Sequence, residues 1–279
     1  MRTRTGEAIG LDTRAVALLW ADTLPPEAIG FKPGRWGCVA SLFAAVATKG
    51  RVAGFDRDSY GCWGGGVGLG FGNSYQTFPG GVEAFCRFLS DGNAKTESGR
   101  AMGERMAAGG AAFADDFLNG ERYQADPGSA ARFVAGLPMV ELPAQYVVVK
   151  PLDRVDPARE TPQCVTFFVD PDQLSALVVL ANFQDPTGER VTIPWAAACQ
   201  VMGILAYREL GRAQPRGLVG LTDLSARRNV RASLGPHVLS FTAPWPLFQE
   251  MERNAEDCFL QRQTWRELRQ KPVTRPSIS

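Results

Sequence analysis

Three cysteines stand out by their neighbours rather than by their spacing. Cys38 follows Gly37 at the start of the small-residue run CVASLFAAVAT. Cys62 stands in Gly61-Cys62-Trp63-Gly64-Gly65-Gly66, and Cys199 follows three alanines in Pro194-Trp195-Ala196-Ala197-Ala198-Cys199-Gln200. A thiol at a helix start feels the positive end of the peptide dipoles, which favours the thiolate. Small residues beside it leave room for a bulky group. Three thiolates converging on one space form a soft-metal site, and thiolate selects iron–sulfur clusters, zinc or copper(I). With Cys38, Cys62 and Cys199 as ligands, one coordination position stays open. No C-x-x-C pair occurs, so the common ferredoxin and zinc-ribbon spacings are absent. An iron–sulfur cluster is the expected cofactor, ahead of zinc.

Two other chemistries use the same residues. Gly61, Gly64, Gly65 and Gly66 let a backbone approach a ligand closely, so the segment also reads as the cradle of a metal-free module for an anionic small molecule. Asp223 and Arg227, in GLTDLSARR, lie just past a strand end, where α/β sites collect. They equally suit an i,i+4 ion pair. The third reading is a thiol enzyme with Cys62 as nucleophile, whose only candidate imidazole partner is His237. That is the sole histidine, so a His-rich metal centre is excluded. GCWGGGVGLGFG lacks the strand-to-helix setting, and the acidic residue about 20 positions on, that a dinucleotide fingerprint needs. Cys86, Cys164 and Cys258 have apolar neighbours and read as core, the commonest place for a free thiol.

The elements that must position these groups alternate between strands and helices. Strands are expected at 15–20, 52–55, 145–149, 164–169, 191–194 and 216–221. Helices are expected at 38–48, 173–180 and 196–209. The 80–140 stretch reads as a mostly helical insert, broken at Gly92, Gly109-Gly110 and Pro127-Gly128, and 245–269 as closing helices. The fold class is α/β or α+β, in a single compact domain over 1–279. Both halves, 15–75 and 161–230, run from a strand through a Trp-and-Cys helix start to a strand followed by aspartate. This pattern suggests an internal repeat in which Cys38 and Cys199 are equivalent.

Charge and hydropathy bound the partners. Thirty Lys and Arg against 29 Asp and Glu give a net charge of +1, without the basic excess that binding to nucleic acid requires. The N-terminal apolar run, Ala15 to Trp20, is too short for a signal peptide or a membrane span. A cytoplasmic protein with reduced thiols and a small-molecule partner is expected, with no nucleic acid and no membrane.

The ordered blocks GCVASLFAAVATKGRVAGFDRDSYGCWGGGVGLGFGNSYQTFPGG, VDPDQLSALVVLANF, IPWAAACQ, PRGLVGLTDLSARRNVR and FTAPWPLFQEMERN resemble domain-of-unknown-function family 169, the archaeal conserved region proteins. The likeness spans roughly residues 15 to 268. It implies matched family positions at Cys38, at Cys62 with Gly64 and Gly65, and at Cys199. It implies no substrate, cofactor or mechanism.

Overall fold

The protein is described from a computed structural model covering residues 3–107 and 110–270. Its apolar runs become the strands of one mixed sheet: β1 (Val16–Ala21), β2 (Ala53–Phe55), β3 (Tyr146–Pro151), β4 (Cys164–Val169), β5 (Val191–Thr192), β6 (Gly217–Gly220) and β7 (Leu239–Pro244). Strands β2, β4 and β6 are buried along their whole length, which continuous rather than alternating hydrophobicity demands.

The sheet order is β2-β3-β1-β4-β7-β6-β5, and every pair except parallel β5–β6 is antiparallel. Read outward from the central β1–β4 pair, the two halves are alike: β1, β3, β2 on one side and β4, β7, β6 on the other. The registers agree as well. Ala17 faces Val165 at the centre. A two-fold rotation there carries Val149 of β3 onto Thr242 of β7, and Ala53 of β2 onto Leu218 of β6. The two halves of the sheet thus share a topology, though each takes in a strand, β3 or β7, that lies outside the halves 15–75 and 161–230 read from the sequence. The aspartates that suggested a repeat are not equivalent, because this register sets Asp56 against Leu221 rather than Asp223.

The helices are α1 (Arg4–Ala8), α2 (Val39–Lys49), α3 (Trp63–Leu69), α4 (Gly81–Phe88), α5 (Glu97–Ala107), α6 (Ala111–Asn119), α7 (Pro127–Gly136), α8 (Pro171–Ala181), α9 (Ala198–Met202), α10 (Ile204–Leu210), α11 (Leu224–Leu234), α12 (Trp245–Asn254) and α13 (Gln263–Gln270). Local chemistry sets several ends. Gly50 closes α2 in the left-handed region, φ 65°. Asp170 opens α8 with a full capping box to Gln173, and Pro171 takes the first helical position. Against the sheet, Val165, Phe167, Phe241, Phe248 and Leu177 are fully or almost fully buried. Burial of such a side chain stabilises by about 1.5–3 kcal/mol.

The described residues group into two compact units. One holds the residues up to Leu69 and those from Leu142 onward, including all seven strands; the second is Gly70–Glu141. The second unit carries α4–α7 around a cluster of Tyr75, Phe78, Phe85, Phe88, Phe113 and Phe117. The buried Asn93 amide ties it by donating to the Ala84 and Phe117 carbonyls. Gly92, with φ +82°, makes the expected break. Pro127 and Gly128 open α7 rather than break a helix, with Asp126 as cap. Gly109 lies outside the described residues, as does the tail from Lys271.

Three expectations change. The glycine run after Cys62 is not a loop but the helix α3. The single helix read over 196–209 is two, α9 and α10, parted at Gly203, whose ψ of −102° leaves the helical region. Strand β7 and helix α11 were not foreseen.

Candidate functional site

Each half of the sheet sends out the same pair of helices near the central seam. Helix α2 precedes β2 as α9 and α10 precede β6, and α3 follows β2 as α11 follows β6. The pairing between halves is reciprocal, since α2 packs on α11 and α3 on α9. Four helix starts are thereby brought together, carrying Cys38, Cys62, Cys199 and Asp223.

Cys38 is the N-cap residue of α2. Cys62 directly precedes α3, and its Sγ accepts the Gly65 N–H at 3.3 Å. Asp223 holds the same place before α11: one carboxylate oxygen accepts the Ala226 N–H at 2.6 Å. The geometry is matched, residue i capping the N–H of residue i+3. The other Asp223 oxygen accepts the Ala198 N–H at 2.7 Å, fastening the start of α9 to that of α11. Cys199 is the second residue of α9, two positions beyond its cap Ala197, so it matches Cys38 by helix and not by position. Its thiol donates to the Gly64 carbonyl, with Sγ 3.0 Å from the oxygen.

The glycines permit this approach. A Cβ on Gly68 would lie 2.7 Å from the carbonyl carbon of Cys199 and 2.9 Å from its Sγ. One on Gly65 would lie 2.7 Å from Val39 of α2. Gly203 has no room either, its Cβ falling 2.0 Å from the Gly68 carbonyl oxygen. The four helix starts therefore close a ring: α2 meets α11, Asp223 joins α11 to α9, Cys199 joins α9 to α3, and Gly65 sets α3 against α2. At Leu221, φ is +59°, a left-handed turn costly for leucine, immediately before the Thr222-Asp223 step.

The thiols share one electrostatic environment. Burial pushes the Cys62 thiol up to about 12, and the charge of Cys38 adds to it. Burial raises Cys199 well above the ordinary thiol value, followed by the charges of Cys62, Cys38 and Asp223. Cys38 is raised by burial too, against the pull of the Ala40 and Ser41 N–H groups, and it feels Asp223. Asp223 is itself raised by burial, partly opposed by its two N–H donors. Loss of solvation outweighs the helix dipoles here, so the thiols are protonated at neutral pH.

The other predicted residues are placed as follows. Gly61 turns the chain with φ +83°, and a Cβ there would lie 2.6 Å from the Gly37 carbonyl oxygen. Gly64 supplies the carbonyl taken by Cys199, and the Gly65 N–H is used by Cys62. The Gly66 N–H makes an ordinary helical bond to the Cys62 carbonyl at 3.0 Å. Arg227 makes no ion pair with Asp223: its guanidinium donates to the carbonyls of Leu221, Val238 and Pro236. His237 is exposed in the turn before β7. Cys86, Cys164 and Cys258 are buried. Among the described residues, no group of three or more His, Cys, Asp and Glu side chains is arranged to hold a metal ion. None of the described helices is long and apolar enough to cross a membrane. Sequence reasoning missed Gly68 and the Ala198 N–H; the i, i+3 relation of Asp223 to Ala226 was the available signal for the cap.

Fold and site together define a mixed α/β protein built from two sheet halves, with three thiols and a carboxylate gathered at its helix starts. The chain belongs to the DUF169 family, described as Uncharacterised ArCR, whose model matches residues 6–254. No curated protein and no solved structure matches it.

Proposed function

We propose that the chain binds an iron–sulfur cluster through the thiolates of Cys38, Cys62 and Cys199, leaving one corner of the cluster without a cysteine ligand. The observation that carries this reading is that a buried thiol, Cys199, and two half-buried ones, Cys38 and Cys62, stand at three helix starts joined by the Cys199–Gly64 and Gly65–Cys62 hydrogen bonds, within reach of one another's charge. A soft polynuclear cation would offset the mutual repulsion of the thiolates and the cost of burying them. A single tetrahedral zinc, with Zn–S bonds of about 2.3 Å, needs its sulfurs about 3.8 Å apart. A cluster, by contrast, spreads its ligands over several iron atoms.

The competing readings draw less support. Cys62 is held as the thiol, not the nucleophilic thiolate, by its burial. The N–H groups of Gly65 and Gly66 already have partners within α3, which leaves them nothing to offer an anion. Anaerobic purification followed by iron, acid-labile sulfide and zinc assays tests the proposal. Iron and sulfide in comparable amounts, lost in Cys62→Ser and retained in Cys86→Ser, is the expected result. A colourless, metal-free wild-type protein overturns it.

A further inference from the structure

Two chain segments, Gly37-Cys38 and Gly61-Cys62, run side by side. A Cβ on Gly37 would lie 2.1 Å from Cε1 of Phe31, and one on Gly61 would lie 2.6 Å from Cε2 of the same ring. The two glycines thus close on opposite edges of one phenyl group. They also meet each other, since the Gly61 Cβ would fall 2.6 Å from the Gly37 carbonyl oxygen. The next residue of each segment is a cysteine. Val39 Cγ2 and Cys62 Sγ then converge on one point, 2.7 Å and 3.7 Å from where a Gly65 Cβ would stand. The Cys62 sulfur is thereby brought against the start of α2, whose N-cap residue is Cys38. We propose that Cys38 and Cys62 form a reversible dithiol–disulfide pair, oxidised by a low-molecular-weight disulfide.

Access singles out the same pair. Cys38 and Cys62 are half-buried, whereas the other four cysteines are buried, so an oxidant in solution meets this pair first. Cys62 also feels the charge of Cys38. In the first step the Cys38 thiol gives its proton to water, and its sulfur attacks one sulfur of the oxidant. The S–S bond of the oxidant breaks and one thiolate leaves. Cys62, after losing its own proton, attacks the Cys38 sulfur of the mixed disulfide and expels the second thiolate. Two electrons have then passed to the oxidant, which ends as two thiols carrying the two protons. Attack within one molecule offsets the small thiolate fraction of a buried thiol. The pairing does not need a cluster. Where it rests on the cluster reading above, it becomes a gate: the disulfide removes two of the three ligands, so the oxidised chain cannot load iron.

The test exposes full-length, metal-free protein to oxidised glutathione, then counts thiols and maps linkages by peptide mass spectrometry. Wild type should lose two of its six thiols to a Cys38–Cys62 linkage, and dithiothreitol should restore both. Cys199→Ser should form the same linkage, and Cys62→Ser should stop at a glutathione adduct on Cys38. An unchanged thiol count, an adduct on wild-type Cys38 that never resolves, or a linkage to any other cysteine would overturn the inference. Should Cys62→Ser fail to fold, the wild-type and Cys199→Ser maps decide alone. Iron and sulfide are then offered anaerobically to the oxidised and reduced proteins. Uptake by the reduced protein only is expected, and uptake by protein that keeps the linkage overturns the gate. Uptake by neither overturns the proposed function itself, while the linkage, read by mass, still stands.

Discussion

The thiol of Cys199 donates to the carbonyl of Gly64, with Sγ 3.0 Å from the oxygen, joining the first helix of one sheet half to the second helix of the other. This contact is possible only because α3 presents glycine toward α9. A dense glycine run thus serves helix packing here, not a ligand-binding loop.

Gly68→Ala separates these two roles. Helix propensity alone predicts a gain, since alanine exceeds glycine by about 0.8–1.0 kcal/mol in a helix interior. The added Cβ would however sit 2.7 Å from the backbone of Cys199. Overpacking against backbone costs about 1–3 kcal/mol. The contact wins, and urea denaturation should show a net loss of stability. Gly136→Ala, where a Cβ meets nothing within 4 Å, should be neutral or slightly stabilising. A stabilised Gly68→Ala protein would mean that α3 and α9 are not closely packed.

Thiol reactivity follows from burial. In the metal-free protein Cys62 is held up to about 12, and Cys199 is raised well above the ordinary thiol value. Iodoacetamide at neutral pH should label neither appreciably in the native protein, and both on unfolding. Peptide mass spectrometry reads the outcome site by site. Rapid native labelling of Cys62 ahead of the other five would favour thiol enzymology instead.

Acid sensitivity has its source away from the site, at Glu209 on α10, which is fully buried. Burial pushes its carboxyl upward, but the hydrogen bonds and charge of Arg216, with the charge of Arg212, outweigh that and hold it below its ordinary value. Arg216 donates through Nε at 3.2 Å and Nη2 at 2.9 Å, and Arg212 Nε lies 3.0 Å away. A depressed folded value means the stabilisation is complete above the unfolded value, about 4.3. It is lost as pH falls through the lower, folded value. Glu209→Gln should cost about 2–3 kcal/mol at neutral pH, less than a fully buried pair because the arginines reach solvent. The difference from wild type should shrink on acidification below pH about 4. A gap constant with pH would contradict the account.

What could be read from the residues alone depended on whether local chemistry decided the structure. Asp170-Pro171 and Lys49-Gly50 carry their own start and stop signals, and α8 begins and α2 ends where they say. Cys164–Val169, apolar but for Thr166, is β4 residue for residue. By contrast, α3 is made of the poorest common helix formers after proline, and only its packing on α9 and α2 holds it helical. Strand β7 alternates apolar residues with Ser240 and Thr242, all of them buried except the half-buried Leu239. Its polar half and the Gly235-Pro236 turn before it hid a core strand. The cysteine trio was legible from small neighbours, but Asp223 was legible only as a polar residue after a strand. Its second hydrogen bond, from the Ala198 N–H at the start of α9, is a long-range relation that no local motif encodes.

The central claim is tested most directly by X-ray absorption at the iron edge of anaerobically isolated wild-type protein. Binding of a cluster by Cys38, Cys62 and Cys199 predicts a sulfur-dominated first shell together with an iron–iron scattering path, both lost in the Cys38→Ser, Cys62→Ser and Cys199→Ser proteins. Iron ligated only by oxygen and nitrogen, or a spectrum unchanged by these three substitutions, would contradict it.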